Sequence, residues 1–343
     1  MKTQFAHALI LAVIATHVPT SRAQSMQATM KAAVLPEHGG PDNFEIQTVP
    51  QPSPKEDEVL VRVMAAGVNP VDAYVREGMS GEAGSDAGKM IIGSDIAGVV
   101  EKIGGKIMKF KPGDAIYAYL PVSRGGAYAE FAIAKEGEMA IKPKNIDFVK
   151  AAAVPLAATT AWQALVDTAK IRKGQRVLIH GGSGGVGSFA VQIAKARGCK
   201  VIATASTANQ DLLKQLRVGQ SIDYSKTRFQ SAVKDVDVVL NCVGADTLRD
   251  SYGIVKRGGT IVSITTEPDT AECASHGLTC ARIMAHPDAM VLEEMTRLIE
   301  ANAVSPIVSQ TFPLSDVAQA HRQIESRHTR GKIILKIGHD NGR

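Results

Sequence analysis

The stretch GGSGGVG, Gly181 to Gly187, stands between the apolar run VLIH and the segment FAVQIAKAR. Val177, Leu178 and Ile179 suit a strand buried on both faces, whereas Val186, Phe189, Ala190, Ile193 and Ala194 fall on one side of a helix. A strand that passes through five glycines into a helix leaves few folds open, because such a βα turn belongs to sheets with parallel strands. The alternation continues downstream as VIATAS, QDLLKQLR, VDVVLNCVG and GTIVSIT. Residues 153–287 therefore read as an α/β unit, a doubly wound parallel sheet of the Rossmann kind.

Within the loop, Gly182, Gly184 and Gly187 give the spacing G-x-G-x-x-G, with Ser183, Gly185 and Val186 between them. One glycine allows the tight turn, one lets backbone approach a pyrophosphate, and Gly187 permits close packing of helix on strand. The helix N-terminus then meets the diphosphate with free N–H groups. A P-loop is excluded, since no Gly-Lys-Ser/Thr ending follows. Where an NAD-selective site places a carboxylate, at the end of the next strand, the chain has Ser206, followed by Thr207 and Asn209. Hydroxyl and amide groups accept a 2′-phosphate and no carboxylate repels it, so the expected cofactor is NADP(H). Tyr224, Lys226 and Arg228 are further candidates for that phosphate, or else exposed loop residues.

Residues 30–152 have a different texture: short β-branched runs (VLVRVMAAGV, IAGVVEKIG, AIYAYL, AEFAIA) between Gly/Pro turns, suiting a small barrel or twisted antiparallel sheet. A helix (VLEEMTRLIEAN) and a strand (GKIILKI) in residues 288–343 return to that first unit. The net charge of +5 is spread without clusters, so nucleic acid is not an expected partner. The first 23 residues, with an apolar span from Phe5 to Val18 and Ser21-Arg22-Ala23, read as a Sec-type signal peptide cut before Gln24. That reading implies a periplasmic or secreted protein without stable membrane insertion; a start at Met26 or Met30 would make it cytoplasmic. In an oxidising compartment Cys273 and Cys280 could pair, the alternative being four free thiols.

GVNPVD (67–72), GSDIAGVV (93–100), GGAYAEF (125–131), PLAATTAWQAL (155–165), the glycine loop and GKIIL (331–335) together resemble the medium-chain dehydrogenase/reductase superfamily. The resemblance is to its zinc-free quinone oxidoreductase, or zeta-crystallin-like, branch, and it implies a GroES-like catalytic domain beside the Rossmann unit. Where zinc-dependent relatives carry two thiolates and an imidazole, this chain has Asn69, Ser94 and about Pro155, so no metal is expected. The resemblance further implies Asn69 and Tyr74 as the catalytic pair, the amide orienting nicotinamide or substrate carbonyl and the phenol donating a proton. Tyr74 also reads as a packed aromatic, and Asp72 as a cap of the following turn or a partner of Arg76. Thr159 resembles the threonine that contacts nicotinamide, while Asn241, Cys242, Val243, Ile264 and Thr265 follow strands whose carboxyl ends place the ligand. Lys332 is read as structural. A strand near residues 278–284 would be an edge, the usual contact of a homodimer in this family.

The expected activity is hydride transfer from NADPH to a quinone or an α,β-unsaturated carbonyl, a small-molecule electron acceptor. The alternatives are an enoyl-thioester reductase, whose substrate arm would need cations such as Arg124 and Lys135, and a non-catalytic NADPH-binding or redox-sensing protein.

Overall fold

The computed structural model describes residues 28–79, 85–86 and 89–338. The signal-peptide reading of residues 1–23, the Met26 start and part of the loop between Met79 and Met90 lie outside the described residues. In chain order the first unit runs β1 (Thr29–Val34), β2 (Glu45–Pro50), β3 (Val59–Val68), α1 (Pro70–Arg76), β4 (Ser85–Asp86), β5 (Lys89–Met90), β6 (Asp95–Ile103), β7 (Ala115–Tyr119), β8 (Phe131–Ala134) and β9 (Met139–Ile141). Two helices, α2 (Phe148–Ala152) and α3 (Pro155–Trp162), lead to the second unit. There β10 (Arg176–His180), α4 (Gly185–Ala196), β11 (Lys200–Ala205), α5 (Gln210–Gln215), β12 (Gln220–Asp223), α6 (Phe229–Ala232), β13 (Val236–Asn241), α7 (Ala245–Arg249), β14 (Val255–Ser263), α8 (Thr270–His276) and β15 (Thr279–Arg282) alternate. The chain ends with α9 (Ala289–Glu300), β16 (Val308–Pro313), α10 (Val317–Glu325) and β17 (Lys332–Lys336).

The second unit is a six-stranded sheet in the order β12-β11-β10-β13-β14-β15, parallel throughout. Its central strands are apolar on both faces because helices cover both, as the runs Val177–Ile179 and Val238–Leu240 require. Strand order reverses between β10 and β13, so the carboxyl ends of these two strands, at His180 and Asn241, flank the crevice where such sheets bind ligands. The first unit is a seven-stranded sheet in which β17 pairs antiparallel with β3, bringing Ile333 to Lys336 against residues 65–68. This return carries the C-terminal motif into the N-terminal unit. Ala65, Ala97, Tyr117 and Ile334 of that unit share one core with Val177, Ile179 and Phe189 of the other, and the Tyr117 hydroxyl donates to the Leu292 carbonyl at 2.5 Å. A disulfide joins Cys273 on α8 to Cys280 on β15, the edge strand, while Cys199 and Cys242 are free.

Three buried ionisable groups set an acid limit on stability. Burial lowers His180 to about 3, and burial with the nearby Arg76 charge lowers His321 to about 3. Burial raises Asp72 to about 7. Between about pH 3.8 and pH 6.5 the unfolded chain carries protons on both histidines, whereas the folded chain carries one on Asp72. The net uptake of one proton on unfolding costs about 1.4 kcal/mol of stability per pH unit of acidification. The histidines are half-titrated at pH 6.5 in the unfolded chain, so urea unfolding at pH 5.0 should give a stability about 1.4 kcal/mol below that at pH 6.5. His321, packed edge-on between Phe44 and Tyr128, accounts for half of the histidine contribution. In His321→Phe the remaining histidine and Asp72 cancel and the slope should flatten; an unchanged slope would show that these groups do not control it.

Candidate active site

The glycine loop is built by tight contacts with the two central strands. His180 ends β10 with its Nε2 3.1 Å from Ser251 Oγ and its Nδ1 3.4 Å from Thr204 Oγ1. Gly181 then takes a left-handed φ of +73°, and the Gly182 N–H donates to the Thr204 carbonyl at 2.9 Å. The sequence pattern suggests the tight turn within G-x-G-x-x-G, but the structure puts the left-handed residue one position earlier. Gly182 instead permits the approach of β11, since a Cβ there would stand 2.7 Å from Ala203 Cβ. Gly187 packs helix on strand as expected: its Cβ would lie 2.1 Å from the Gly181 carbonyl oxygen. Gly184 is the N-cap of α4, and no side chain caps the helix. The first-turn N–H groups at Val186 and Gly187 are thus left for an anion, while Gly185 adjoins the bridge to Gly331.

At the next strand, Ser206 begins a short 3-10 turn over Thr207–Asn209, and Asn209 Nδ2 donates to Ser206 Oγ at 3.3 Å. Sequence reasoning missed a carboxylate here. Asp223, the last residue of β12, lies opposite Ala205 and accepts from Thr207 Oγ1 at 2.6 Å. That hydroxyl, with the Ser225 N–H and Lys226, holds its carboxyl below the usual range. Lys226 sits 3.7 Å from it and so joins Ser206 and Thr207, whereas Arg228 turns to Asp250 at 4.0 Å and does not. Tyr224 is exposed.

At the carboxyl end of β13, Asn241 is consumed by its own loop. Its Nδ2 donates to the Gly244 carbonyl at 3.1 Å and to Ser263 Oγ at 3.4 Å, and its Oδ1 accepts from Val243 N at 3.2 Å. The side chain therefore supports the loop at the strand end where the cofactor is expected. Val243 is exposed and burial pushes the Cys242 thiol up to about 12. Ile264 N donates to the Asn241 carbonyl at 3.1 Å and Thr265 N to Ser263 Oγ at 3.4 Å, which ties the ends of β13 and β14 together.

Asn69 is the N-cap of α1 and is buried. Its backbone N–H donates to Asp72 Oδ2 at 2.8 Å, the capping role expected of that carboxylate. Arg76 pairs with Glu77 and Glu325 instead of Asp72, and Tyr128 OH donates to Asp72 at 2.8 Å. The Asn69 amide faces a buried ion pair: Nδ2 donates to Asp95 Oδ2 at 3.0 Å, and the Lys332 ammonium donates to Asn69 Oδ1 and lies 3.0 Å from Asp95 Oδ2. Lys332, read from sequence as structural, is thus part of the polar centre. Asp95 Oδ1 also accepts from Leu156 N at 2.6 Å, at the start of α3. One turn further along α3, Thr159 is fully buried and its Oγ1 has no hydrogen-bond partner among the described residues. Tyr74, on the same helix that Asn69 caps, is 43% exposed and takes no part in the cluster.

A dinucleotide suits the uncapped α4, the glycine cradle and the orphaned Thr159 hydroxyl, which a nicotinamide carboxamide would satisfy. Zinc does not suit the carboxamide of Asn69, the hydroxyl of Ser94 and an Asp95 already neutralised by Lys332. No group of three His, Cys, Asp or Glu residues that could hold a metal exists among the described residues.

Residues 55–144 match the family model of the alcohol dehydrogenase GroES-like domain, and residues 216–335 that named zinc-binding dehydrogenase. The chain is 35% identical over 322 residues to the chloroplastic NADPH-dependent alkenal/one oxidoreductase of Arabidopsis thaliana, covering 91% of this chain and 80% of that protein. It is 32% identical over 331 residues to the quinone oxidoreductase of Mus musculus, covering 91% and 99% respectively. The solved structure of the quinone oxidoreductase from Coxiella burnetii superimposes with a TM-score of 0.83 at 30% identity, over 91% of this chain and all of that one. With its GroES-like unit, its parallel nucleotide-binding sheet and these relatives, the chain belongs to the medium-chain dehydrogenase/reductase superfamily, as an oxidoreductase of the quinone oxidoreductase branch.

Proposed function

We propose that the chain is a metal-independent, NADPH-dependent reductase of quinones or α,β-unsaturated carbonyls. The observation that carries this reading is the buried Asn69–Asp95–Lys332 centre, which offers hydrogen-bond donors beside the cofactor loop and no ligand set for zinc. Acceptors already conjugated need little polarisation, because charge develops on an oxygen delocalised through a π system. The bound dinucleotide would supply the hydride. The α4 N-terminus holds its pyrophosphate, Thr159 orients the carboxamide and Asn69 donates to the developing oxyanion. Tyr74, exposed beyond the cap, hands on the proton that an enone requires.

The names of the relatives support this choice of substrates: quinones for one, alkenals and enones for the other. The enoyl-thioester alternative is less favoured, since Arg124 is bound to Glu138 at 2.5 Å and Lys135 to Asp57 at 2.9 Å. The test is loss of NADPH absorbance with a quinone, an enone and a crotonyl thioester, repeated after a chelator. Turnover of the first two, unchanged by the chelator, is expected; no turnover with any acceptor would favour a non-catalytic NADPH-binding protein.

The preference for NADPH rests on Ser206, Thr207 and Lys226, with Lys226 also masking Asp223. Lys226→Ala removes a cation and uncovers a carboxylate. NADPH should then bind about tenfold more weakly, a change of about 1.4 kcal/mol, while NADH changes little. Isothermal titration with both cofactors decides it; equal losses would remove Lys226 from the selectivity site.

Export through the signal peptide places the mature protein in the periplasm or medium, starting at Gln24, and this start leaves β1 whole. A start at Met30 would remove Thr29 and the Ala28 carbonyl that accepts from Gln51 N at 2.8 Å. A start at Met26 keeps Ala28 and Thr29, and sequencing the mature N-terminus distinguishes Gln24, Met26 and Met30. The open edge at β15 is the surface for pairing two copies, checked by sedimentation.

A further inference from the structure

We infer that Lys332 and Asp95 are positioning residues that lock the Asn69 amide in one orientation and tie it to the glycine loop. The inference rests on the proposed reductase reading for its catalytic consequence, but its structural half stands alone. An ammonium only donates, so it can face only Oδ1 of the amide; a carboxylate only accepts, so it can face only Nδ2. With Lys332 on Oδ1 and Asp95 on Nδ2, the amide cannot flip without breaking both contacts. Asp95 takes one Nδ2 hydrogen, and the other has no acceptor among the described residues. That second hydrogen is the donor available to a carbonyl oxygen.

The same lysine touches the cofactor side. Gly331 N donates to the Ser183 carbonyl at 2.8 Å, a β-bridge joins Gly184 to Gly331, and a Cβ on Gly185 would stand 3.1 Å from Lys332 Cδ. Asp95 in turn holds the first turn of α3, which carries Thr159. The ion pair therefore connects the pyrophosphate loop, the helix bearing Thr159 and the substrate-side amide. The pair is almost wholly buried, with side-chain exposures of 4% and 0%. Removing one member alone would leave an uncompensated charge and confuse positioning with folding.

The test is the neutral double variant Lys332→Met/Asp95→Asn, which removes both charges and frees the amide to flip. It is compared with wild type in protein labelled with [15N]asparagine, the Asn69 amide being assigned by its loss in Asn69→Asp. In wild type the Asn69 side-chain protons should exchange slowly with solvent; in the double variant that protection should vanish. NADPH affinity, read by fluorescence titration, should stay within about threefold, while kcat with an enone falls about 100-fold and KM changes little. Retained protection, or a kcat that stays near wild type in the double variant, would overturn the inference. An inactive wild type with a protected amide would sink the reductase reading and leave the amide lock standing.

Discussion

Gly187→Ala should abolish dinucleotide binding. The added Cβ would stand 2.1 Å from the carbonyl oxygen of Gly181, 2.8 Å from its carbon and 2.9 Å from Gly182 Cα. All three are backbone atoms of the loop itself, so no side chain can swing away. The N-terminus of α4 must therefore lift off β10, and the amides that point at the pyrophosphate move with it. A displacement of about 1 Å in such an anion site costs on the order of 100-fold in function, so NADPH binding should weaken by at least that factor. Overpacking against a strand costs about 1–3 kcal/mol besides, seen as a lower melting temperature. Gly185→Ala is the control, because its Cβ meets the flexible Lys332 stem at 3.1 Å. Fluorescence titration of both variants tests the difference; similar losses would mean that the loop geometry is not what binds the cofactor.

Asn69→Ala should reduce kcat about 100- to 1000-fold with both quinone and enone acceptors, the range found when one oxyanion donor is lost. The Lys332–Asp95 contact at 3.0 Å survives the change, so the protein should still fold and bind NADPH. Stability should fall by about 1–3 kcal/mol, because a buried ammonium and a buried carboxylate each lose one hydrogen bond. Steady-state kinetics with thermal melting separate the two effects. A variant with wild-type kcat would move the oxyanion site away from Asn69.

The glycine loop is legible in sequence because its physics is local. Strand, turn and helix follow within about twenty residues, and the steric demand on Gly187 arises from Gly181, six positions away. The β-rich unit is legible for the same reason, from alternating runs between turns. The polar centre is not. Lys332 and Asp95 are separated by 237 residues and meet only because β17 returns to pair with β3. GSDIAG and GKIIL were visible as motifs, but nothing in either says that a lysine from one faces an aspartate from the other. Asp223 escaped for a similar reason: it reaches Thr207 through the parallel register of β11 and β12, whereas the usual spacing rule looks only at the end of β11. Asn241 is legible as a polar residue at a strand end, whereas the bonds of its amide to its own loop are not. The Thr159 hydroxyl was visible by resemblance alone; its missing partner became apparent only once the helix was packed.

Direct hydride transfer from NADPH to a conjugated carbon, with Asn69 as the oxygen-side donor, is the step proposed for this site. It is tested most directly with NADPH carrying two deuterons at C4 of the nicotinamide and an enone acceptor, the product being analysed by mass spectrometry and NMR. One deuteron is expected on the β-carbon of the saturated ketone, with a solvent proton on the α-carbon and near-complete loss of this product in Asn69→Ala. Labelled cofactor that is never oxidised, or a reduced product without deuterium at the β-carbon, would contradict it.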